Sequence, residues 1–146
     1  MSVPKRETGG IKADIRQLLD DCGLPSDEKT LSRLQHFLVM KKDDQEVVGI
    51  VGLQSLPPVA VIHSLAVHVS YRRQGLASQL LEEIEVDARG AGYVKLYLAA
   101  TTDIDFFSHR GYRMLAVSDL PASLLTAEND VLPPGAGQVV YMGKDL

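Results

Sequence analysis

The 146-residue chain is predicted to fold as a mixed α/β (α+β) domain, and three observations support that fold class. Apolar residues recur with a helical period near the N-terminus and again in the middle of the chain. Short apolar runs bounded by glycine and proline are typical of strands. In the middle of the chain, strand, turn, helix and strand follow one another as a βαβ unit, which predicts a parallel strand pair with a right-handed crossover.

Length and composition favour one soluble domain over residues 1–146. Hydrophobic residues make up 45% of the chain and charged residues 23%, which are ordinary values for a globular protein. No apolar run reaches the length of a membrane span, and the first residues lack the apolar stretch of a secretion signal. We therefore expect a cytoplasmic protein without a membrane partner.

Charge and cysteine content argue against two further classes of protein. The net charge of −4 and the lack of a long basic run argue against nucleic-acid binding. Cys22 is the only cysteine, and the histidines show no metal-ligand spacing, so no metal is expected. Cys22 itself is interpreted as a small hydrophobe on a helix face.

The N-terminal half alternates between helical and extended patterns. An apolar stripe from Ile11 to Cys22 predicts a helix, and a second short helix is expected over residues 26–34. The strands predicted over His36–Met40 and Glu46–Leu56 form a hairpin around a solvated turn at residues 41–45.

The middle of the chain contains the βαβ unit. Val59–Val69 is apolar on both faces, which is typical of a central strand. The helix expected over Gly75–Gly90 has an apolar stripe and an opposite polar side, and a strand follows over Tyr93–Ala100.

Shorter elements are predicted for the C-terminal part. A short helix over Asp103–Arg110 is capped by Thr101 or Thr102 and ends at Gly111. A strand follows over Tyr112–Val117. Residues 119–130 are either helical or irregular, and a last strand is expected over Gln138–Lys144.

The turn from Arg72 to Ala77 joins the central strand to a helix that begins at Gly75. The first N–H groups of a helix lack helical acceptors and carry about half a positive charge, which makes this turn an anion site. Gly75 lets a bulky anion approach the backbone, and Arg72 and Arg73 add positive charge. Neither the Walker pattern GxxxxGK[ST] nor a GxGxxG turn between strand and helix is present.

The pattern Arg72-x-x-Gly75-x-Ala77, between Leu65-Ala66-Val67 and Leu80-Leu81, resembles the [R/Q]xxGx[G/A] pyrophosphate motif of GNAT acetyltransferases. The segment from Phe106 to Tyr112 is similar to the later FYxxxGF segment of that family. The resemblance covers about residues 8 to 144. It implies a single GNAT-type domain whose mixed sheet is splayed between strands 59–69 and 93–100, with helices on both faces.

The resemblance also implies an activity: transfer of acetyl from acetyl-CoA to a primary amine by direct attack on the thioester. The run Leu98-Ala99-Ala100-Thr101-Thr102, with Phe106-Phe107, is similar to arsenic-resistance-associated acetyltransferases and to N-acetylglutamate synthases. The implied substrate is therefore a small molecule, an amino acid or an amino-acid-like compound. The alternatives are a protein or peptide N-acetyltransferase and a non-catalytic acyl-CoA-binding sensor, and a homodimer is left open.

The site residues follow from the resemblance. The implied oxyanion donor is the backbone N–H of Val67 or its neighbour, and His63 is the candidate base. Phe107 stands where many relatives have tyrosine, so Tyr112 is the candidate acid; the alternatives are another group, water or an unassisted thiolate. The other interpretation of His63 is a hydrogen-bonded core or cleft histidine. The implied cofactor-binding residues are Leu65, Ala66, Val67, Val69, Arg72, Arg73, Gln74, Gly75, Leu76, Ala77, Ser78, Thr101, Thr102 and Phe107.

Overall fold

Strands and helices alternate along the chain in a computed structural model that describes residues 5–6, 12–22, 36–42, 46–71, 75–100, 103–121 and 140–146. The described strands form one mixed sheet of seven, in the order β1-β2-β3-β4-β5-β7-β6. The predicted α/β class is confirmed. The elements are β1 (Lys5–Arg6), α1 (Lys12–Asp21), β2 (His36–Lys42), β3 (Glu46–Leu56), β4 (Val59–Val67), α2 (Leu76–Gly90), β5 (Lys95–Ala100), α3 (Ile104–Ser108), β6 (Arg113–Leu115) and β7 (Val140–Asp145).

The chain divides into two compact units. The first unit comprises Met1–Ser55 with Ile62–Ala91, and the second comprises Leu56–Val61 with Gly92–Leu146. β4 contributes to both, because Val59 to Val61 pair with β5 of the second unit and the rest of the strand lies in the first. The β4–β5 pairing is parallel, as the βαβ pattern predicts. The splay between these two strands stays a prediction.

In the first unit, α1 and α2 cover opposite faces of the β2–β3 pair. Val39 pairs with Ile50, and both lie in the apolar cluster to which α1 contributes Ile15, Leu18 and Leu19. The next pair, Met40 and Gly49, points to the other face because side chains alternate along a strand. There a Cβ atom on Gly49 would lie 3.0 Å from Leu80 Cδ1 of α2, so a glycine permits this close approach. Helices on both faces were predicted and are confirmed in this unit.

The second unit is built around β5 and β7. These strands are antiparallel over their whole length, from the pair Lys95–Asp145 to the pair Ala100–Val140, and β6 adds to the outer edge of β7. Its apolar cluster contains side chains from β4, β5 and the segment after β6, namely Val59, Val61, Tyr97 and Leu120. None of the helices in the described part of the chain has the length and apolarity to cross a bilayer.

β4 ends earlier than the sequence predicts. The strand was expected to continue to Val69, but it ends at Val67, and a 3-10 turn follows over Val69–Tyr71. The turn closes on His68: its carbonyl accepts from the Tyr71 amide at 2.8 Å, and its Nδ1 accepts from the Ser70 amide at 3.1 Å. These local hydrogen bonds replace sheet pairing, and the Val69 side chain is 69% exposed instead of lying on a strand face.

Several other boundaries differ from prediction. β2 continues through Lys41 and Lys42, expected in the turn, after a register shift beside Met40. β6 is confined to Arg113–Leu115, because a 3-10 turn at Val117–Asp119 follows it. The α3 N-cap is Asp103, in a left-handed conformation with φ of 61°, instead of Thr101 or Thr102.

Some predictions concern residues that the structure does not describe, and one observed strand was not predicted. The helix expected over residues 26–34, most of the 119–130 segment, and both Thr101 and Thr102 lie outside the described residues. β1, which pairs with β2 through Lys5–Val39 and Arg6–Leu38, was not predicted. Lys5 and Arg6 are two charged residues without an alternating apolar pattern, so this strand is recognised only by its pairing with β2.

Candidate active site

At the C-terminal end of β4, successive backbone N–H groups point to opposite edges of the strand. The His68 amide donates to the Val48 carbonyl of β3 at 2.8 Å. Because successive N–H groups of a strand alternate between its edges, the Val67 N–H is directed away from β3. The Ala66 and Val67 side chains are buried, which fixes this segment in the first unit. The predicted oxyanion donor therefore lies on a strand segment that is fixed by packing and by hydrogen bonding to β3, and its N–H points to the opposite edge of the strand.

The peptide between Val67 and His68 is held from both sides. While its N–H binds Val48, its carbonyl accepts a hydrogen bond from the Cys22 thiol, with Sγ 3.6 Å from the oxygen. Cys22 is half-buried and packs against the apolar cluster of the first unit, as expected for a small hydrophobe. The C-terminus of α1 thus helps to fix the orientation of the last peptide of β4.

The N-cap residue of α2 is a glycine. Gly75 has φ of 78° and ψ of 11°, a left-handed conformation that glycine adopts without strain. The first helical hydrogen bond runs from the Gln79 amide to the Gly75 carbonyl at 3.1 Å. Gly75 has no side chain that could cap the helix, and the first turn contains no acidic residue. Neither the N-cap residue nor the first turn therefore places a negative charge beside the positive end of the helix dipole.

Gly75 lies at an exposed point of the first unit. Among the residues that the structure describes, none has an atom within 4 Å of a Cβ atom placed on it. Leu76, the first helical residue, is buried and anchors the turn in the first unit. Such a helix end can accept a bulky anion such as a diphosphate. Arg72, Arg73 and Gln74 lie outside the described residues, so their part in the site stays a prediction.

His63 forms a hydrogen bond with a buried amide on the neighbouring strand. Its Nε2 lies 2.9 Å from Oε1 of Gln54, and the Gln54 side chain belongs to the buried polar residues of the chain. The His63 ring is half-buried. This geometry fits both interpretations of His63, a histidine fixed by a hydrogen bond and a base whose orientation is controlled.

Phe107 and Tyr112 lie together in the second unit. Their rings meet edge to face, with centroids 5.8 Å apart, and the Tyr112 amide donates to the Phe107 carbonyl at 3.1 Å. Gly111, with φ of 92°, makes the turn between them, and Lys144 donates to the Arg110 carbonyl at 2.9 Å. The segment is therefore a tight turn from α3 to β6, and it leaves Tyr112 only 2% exposed.

The structure sorts the predicted site residues into three groups. The β4 residues and the first turn of α2 belong to the first unit, whereas Phe107 and Tyr112 belong to the second. The third group lies outside the described residues: Arg72, Arg73, Gln74, Thr101 and Thr102.

Two contacts of the site were missed by sequence analysis. The Gln54 amide beside His63 had one available signal, since it is a polar residue following an apolar run on β3. No signal in the sequence indicated the hydrogen bond from the Cys22 thiol to the Val67 carbonyl, because the two residues are 45 positions apart.

The geometry of β4 and α2 agrees with a known family. Residues 12–115 match the model of the acetyltransferase (GNAT) family, and the chain belongs to this family. The predicted family, the GNAT acetyltransferases, is confirmed.

Two curated relatives of the chain are amino-acid acetyltransferases. The chain is 34% identical over 130 residues to an amino-acid acetyltransferase of Pseudomonas aeruginosa, an alignment covering 84% of this chain and 29% of that protein. It is 29% identical over 119 residues to an amino-acid acetyltransferase of Edwardsiella ictaluri, covering 79% and 27%. The chain therefore spans less than a third of the length of these relatives.

Solved structures share the fold. An N-acetylglutamate synthase from Neisseria gonorrhoeae, complexed with coenzyme A and N-acetyl-glutamate, superposes with a TM-score of 0.84 at 20% identity, over 100% of this chain and 35% of that one. A Mycobacterium tuberculosis protein in complex with CoA superposes with a TM-score of 0.82 at 19% identity, over 99% of both chains. The predicted resemblance to N-acetylglutamate synthases is confirmed at the level of fold.

Proposed function

We propose that this protein is an acetyl-CoA-dependent N-acetyltransferase that acetylates the primary amine of an amino acid or an amino-acid-like small molecule. The observation that carries the proposal is the exposed, left-handed glycine cap of α2, the helix that follows β4 in the first unit, in a chain of the acetyltransferase family. The names of the curated relatives support the substrate class, and the CoA complexes of the two structural neighbours support the acetyl donor.

The diphosphate of coenzyme A binds at the start of α2. Backbone amides from Gly75 to Ser78 face the anion, and the helix dipole contributes about half a positive charge at this end. The absence of an acidic residue in the first turn removes a source of repulsion. Arg72 and Arg73 add attraction, and Gln74 completes the turn.

The pantetheine arm pairs with β4 as an added strand pairs with a sheet edge. Leu65, Ala66, Val67 and Val69 follow the arm, and the Val67 N–H, directed away from β3, binds the acetyl oxygen. Negative charge develops on this oxygen when the amine attacks, so a fixed donor stabilises the transition state by about 3–4 kcal/mol. The Cys22 thiol and Val48 carbonyl keep the neighbouring peptide in place.

The amine must lose a proton before it can attack, because a free alkyl amine titrates near 10. His63 is the proposed base, since imidazole titrates near neutrality. It precedes Val67 by four residues, about 13 Å along an extended strand, which is farther than one water molecule can bridge, so the proton passes along a chain of water molecules. The nitrogen–carbon bond then forms, the carbon–sulfur bond breaks, and the thiolate of coenzyme A leaves.

Turnover on a defined amine panel tests the proposal. Acetyl-CoA is mixed with single amino acids, including glutamate, and with peptides bearing a free N-terminus or lysine, and free thiol is followed by a colour reagent. We expect thiol release above the no-amine rate with one or more amino acids. Release with peptides alone indicates the protein-acetylating alternative. Thermal stabilisation by CoA without release on any amine indicates the sensor alternative, and either result contradicts the proposal.

A further inference from the structure

We infer that His68 is a positioning residue for the diphosphate of coenzyme A, because it closes the turn that leads from β4 into the segment containing Arg72 and Arg73. The inference rests on the proposed function, since it concerns the cofactor of that reaction. It adds to that function a residue outside the predicted site, which acts through the backbone of its own turn. The observation behind it is a set of three hydrogen bonds that His68 makes with β3 and with the turn over Val69–Tyr71.

The three hydrogen bonds of His68 hold the chain at three different points. Its amide donates to the Val48 carbonyl of β3 at 2.8 Å, and its carbonyl accepts from the Tyr71 amide at 2.8 Å. Its Nδ1 accepts from the Ser70 amide at 3.1 Å. The direction of this last bond is fixed, because a backbone N–H can only donate. One residue therefore ties the end of β4 to its neighbouring strand and also fixes the backbone of the turn that follows.

The imidazole ring of His68 also packs against the turn that it closes. It is half-buried and meets the Tyr71 ring edge to face, with centroids 5.9 Å apart. Val69 in the same turn is exposed, so burial of its side chain contributes little to holding the turn. Asparagine, aspartate and serine commonly close such turns, because their side-chain oxygen accepts from the amide two residues further on. His68 supplies an acceptor to the same position and adds the ring contact with Tyr71.

The turn and the glycine cap of α2 are the two ends of the proposed anion-binding segment. Only three positions separate Tyr71 from Gly75, and Leu76 is buried and anchors the start of α2. His68, its turn and α2 all belong to the first unit. A short segment with both ends fixed loses less conformational freedom when a ligand orders it. Closure of the turn by His68 therefore favours binding of the diphosphate without any contact between the imidazole and the cofactor.

Amide hydrogen exchange of the full-length chain tests the turn independently of cofactor binding. Two substitutions separate the acceptor from the ring: His68→Asn keeps a side-chain acceptor for the amide two residues on, whereas His68→Phe keeps a ring and has no acceptor. We expect the Ser70 amide to be protected in the wild type and in His68→Asn, and to exchange faster in His68→Phe. The Tyr71 amide, which is bonded to the carbonyl of residue 68, stays protected in all three chains and reports that the turn is still formed.

Calorimetry with CoA and with pantetheine, together with kinetics on the best amine of the panel, tests the positioning role. We expect His68→Phe to bind CoA roughly three- to tenfold more weakly, which is the effect of one hydrogen bond on an equilibrium constant, and to raise the KM for acetyl-CoA. The dissociation constant of pantetheine, which lacks the diphosphate, and kcat at saturating acetyl-CoA stay at their wild-type values. His68→Asn recovers the affinity for CoA.

The second unit offers a matched control for the loss of an acceptor. Asp119 Oδ2 accepts from the Ala116 amide at 3.1 Å, also in an exposed 3-10 turn, so Asp119→Leu removes a bond of the same kind and length. This variant binds CoA no more weakly than the wild type, because it leaves the turn after β4 intact and removes a negative charge.

Three outcomes would overturn the inference while the proposed function stands. Equal exchange of the Ser70 amide in the three chains contradicts the hydrogen bond to His68. Wild-type affinity for CoA in His68→Phe, despite faster exchange of that amide, contradicts the positioning role. An equal loss of affinity for CoA and pantetheine reduces His68 to a packing residue. If the wild-type chain binds no CoA at all, the proposed function itself is refuted, and the positioning role with it.

Discussion

Single residues control the two ends of the proposed cofactor site. Gly75 adopts a left-handed conformation at the α2 N-cap and brings no side chain of its own to compete with an incoming anion. At the end of β4, the Cys22 thiol and the Val48 carbonyl fix the peptide that follows the proposed oxyanion donor. In both places the proposed binding group is the backbone, and these residues contribute by being small or by fixing its orientation.

Charge at position 75 is expected to decide coenzyme A affinity. Asparagine and aspartate have nearly the same size, and both tolerate left-handed backbone. Because only the aspartate repels the diphosphate, Gly75→Asp should bind CoA at least about tenfold more weakly than Gly75→Asn, a difference of about 1.4 kcal/mol. Isothermal calorimetry at constant ionic strength measures both values. Equal dissociation constants would place the diphosphate elsewhere.

Tyr112 is predicted to donate the proton that the leaving thiolate takes up. Tyr112→Phe should then lower kcat by about 100-fold while CoA binding is retained. The matched control is Tyr97→Phe, which removes another buried phenol of the second unit. Steady-state rates of the two variants show whether the Tyr112 phenol contributes to kcat. If both variants keep the wild-type kcat, the thiolate leaves without help from this phenol.

At the scale of elements, α2 links the core of the first unit to the proposed anion site. Its apolar stripe packs on the face of β2 and β3 opposite α1, and its N-terminus carries Gly75. Leu80 is fully buried one turn into the helix, against Gly49, whereas Val86 on the same helix is 57% exposed. The position of the proposed anion site therefore depends on the packing of Leu80 against Gly49.

Shortening a buried and an exposed side chain of α2 should have different effects on the free energy of unfolding. Leu80→Ala is expected to lower the free energy of unfolding by about 2–5 kcal/mol, because it removes buried methyl groups and leaves a cavity. Val86→Ala on the same helix should change it by less than about 0.5 kcal/mol. Urea denaturation with a common slope measures both changes. A loss of similar size in the two variants would contradict the observed face of α2.

At the scale of the whole molecule, binding of coenzyme A is expected to be coupled to folding. The proposed diphosphate site combines β4 and α2 of the first unit, which meet only in the folded chain. A ligand that binds the folded state alone must therefore stabilise it. The size of this effect depends on which part of the ligand makes the contacts.

Coenzyme A should raise the melting temperature markedly more than pantetheine does. At 100 times its dissociation constant, CoA adds about 2.7 kcal/mol, which corresponds to roughly 9 °C for a chain of this length. Pantetheine lacks the diphosphate and should give a much smaller shift at the same concentration. Differential scanning fluorimetry compares the two ligands. Equal shifts would mean that the helix end at Gly75 contributes nothing to binding.

Much of the fold could be predicted because its signals are local. The stripe from Ile11 to Cys22 corresponds to α1, the run Glu46–Leu56 matches β3, and the helix expected over Gly75–Gly90 is α2 to within one residue. Strand ends were less predictable. β4 stops at Val67 because His68 closes a turn with Ser70 and Tyr71, a competition that an apolar pattern does not reveal.

By itself, the sequence determined the fold class, the βαβ unit and the start of α2 at Gly75, because periodicity and glycine act over a few neighbouring residues. It predicts an anion site at that turn, but only the tertiary structure decided which groups meet at the candidate site. Gln54 on β3 contacts His63 on the neighbouring strand β4. Cys22, which follows α1, contacts Val67, 45 positions further along the chain. Such contacts depend on strand register and helix packing, which are set by the whole core and leave no mark on the local pattern.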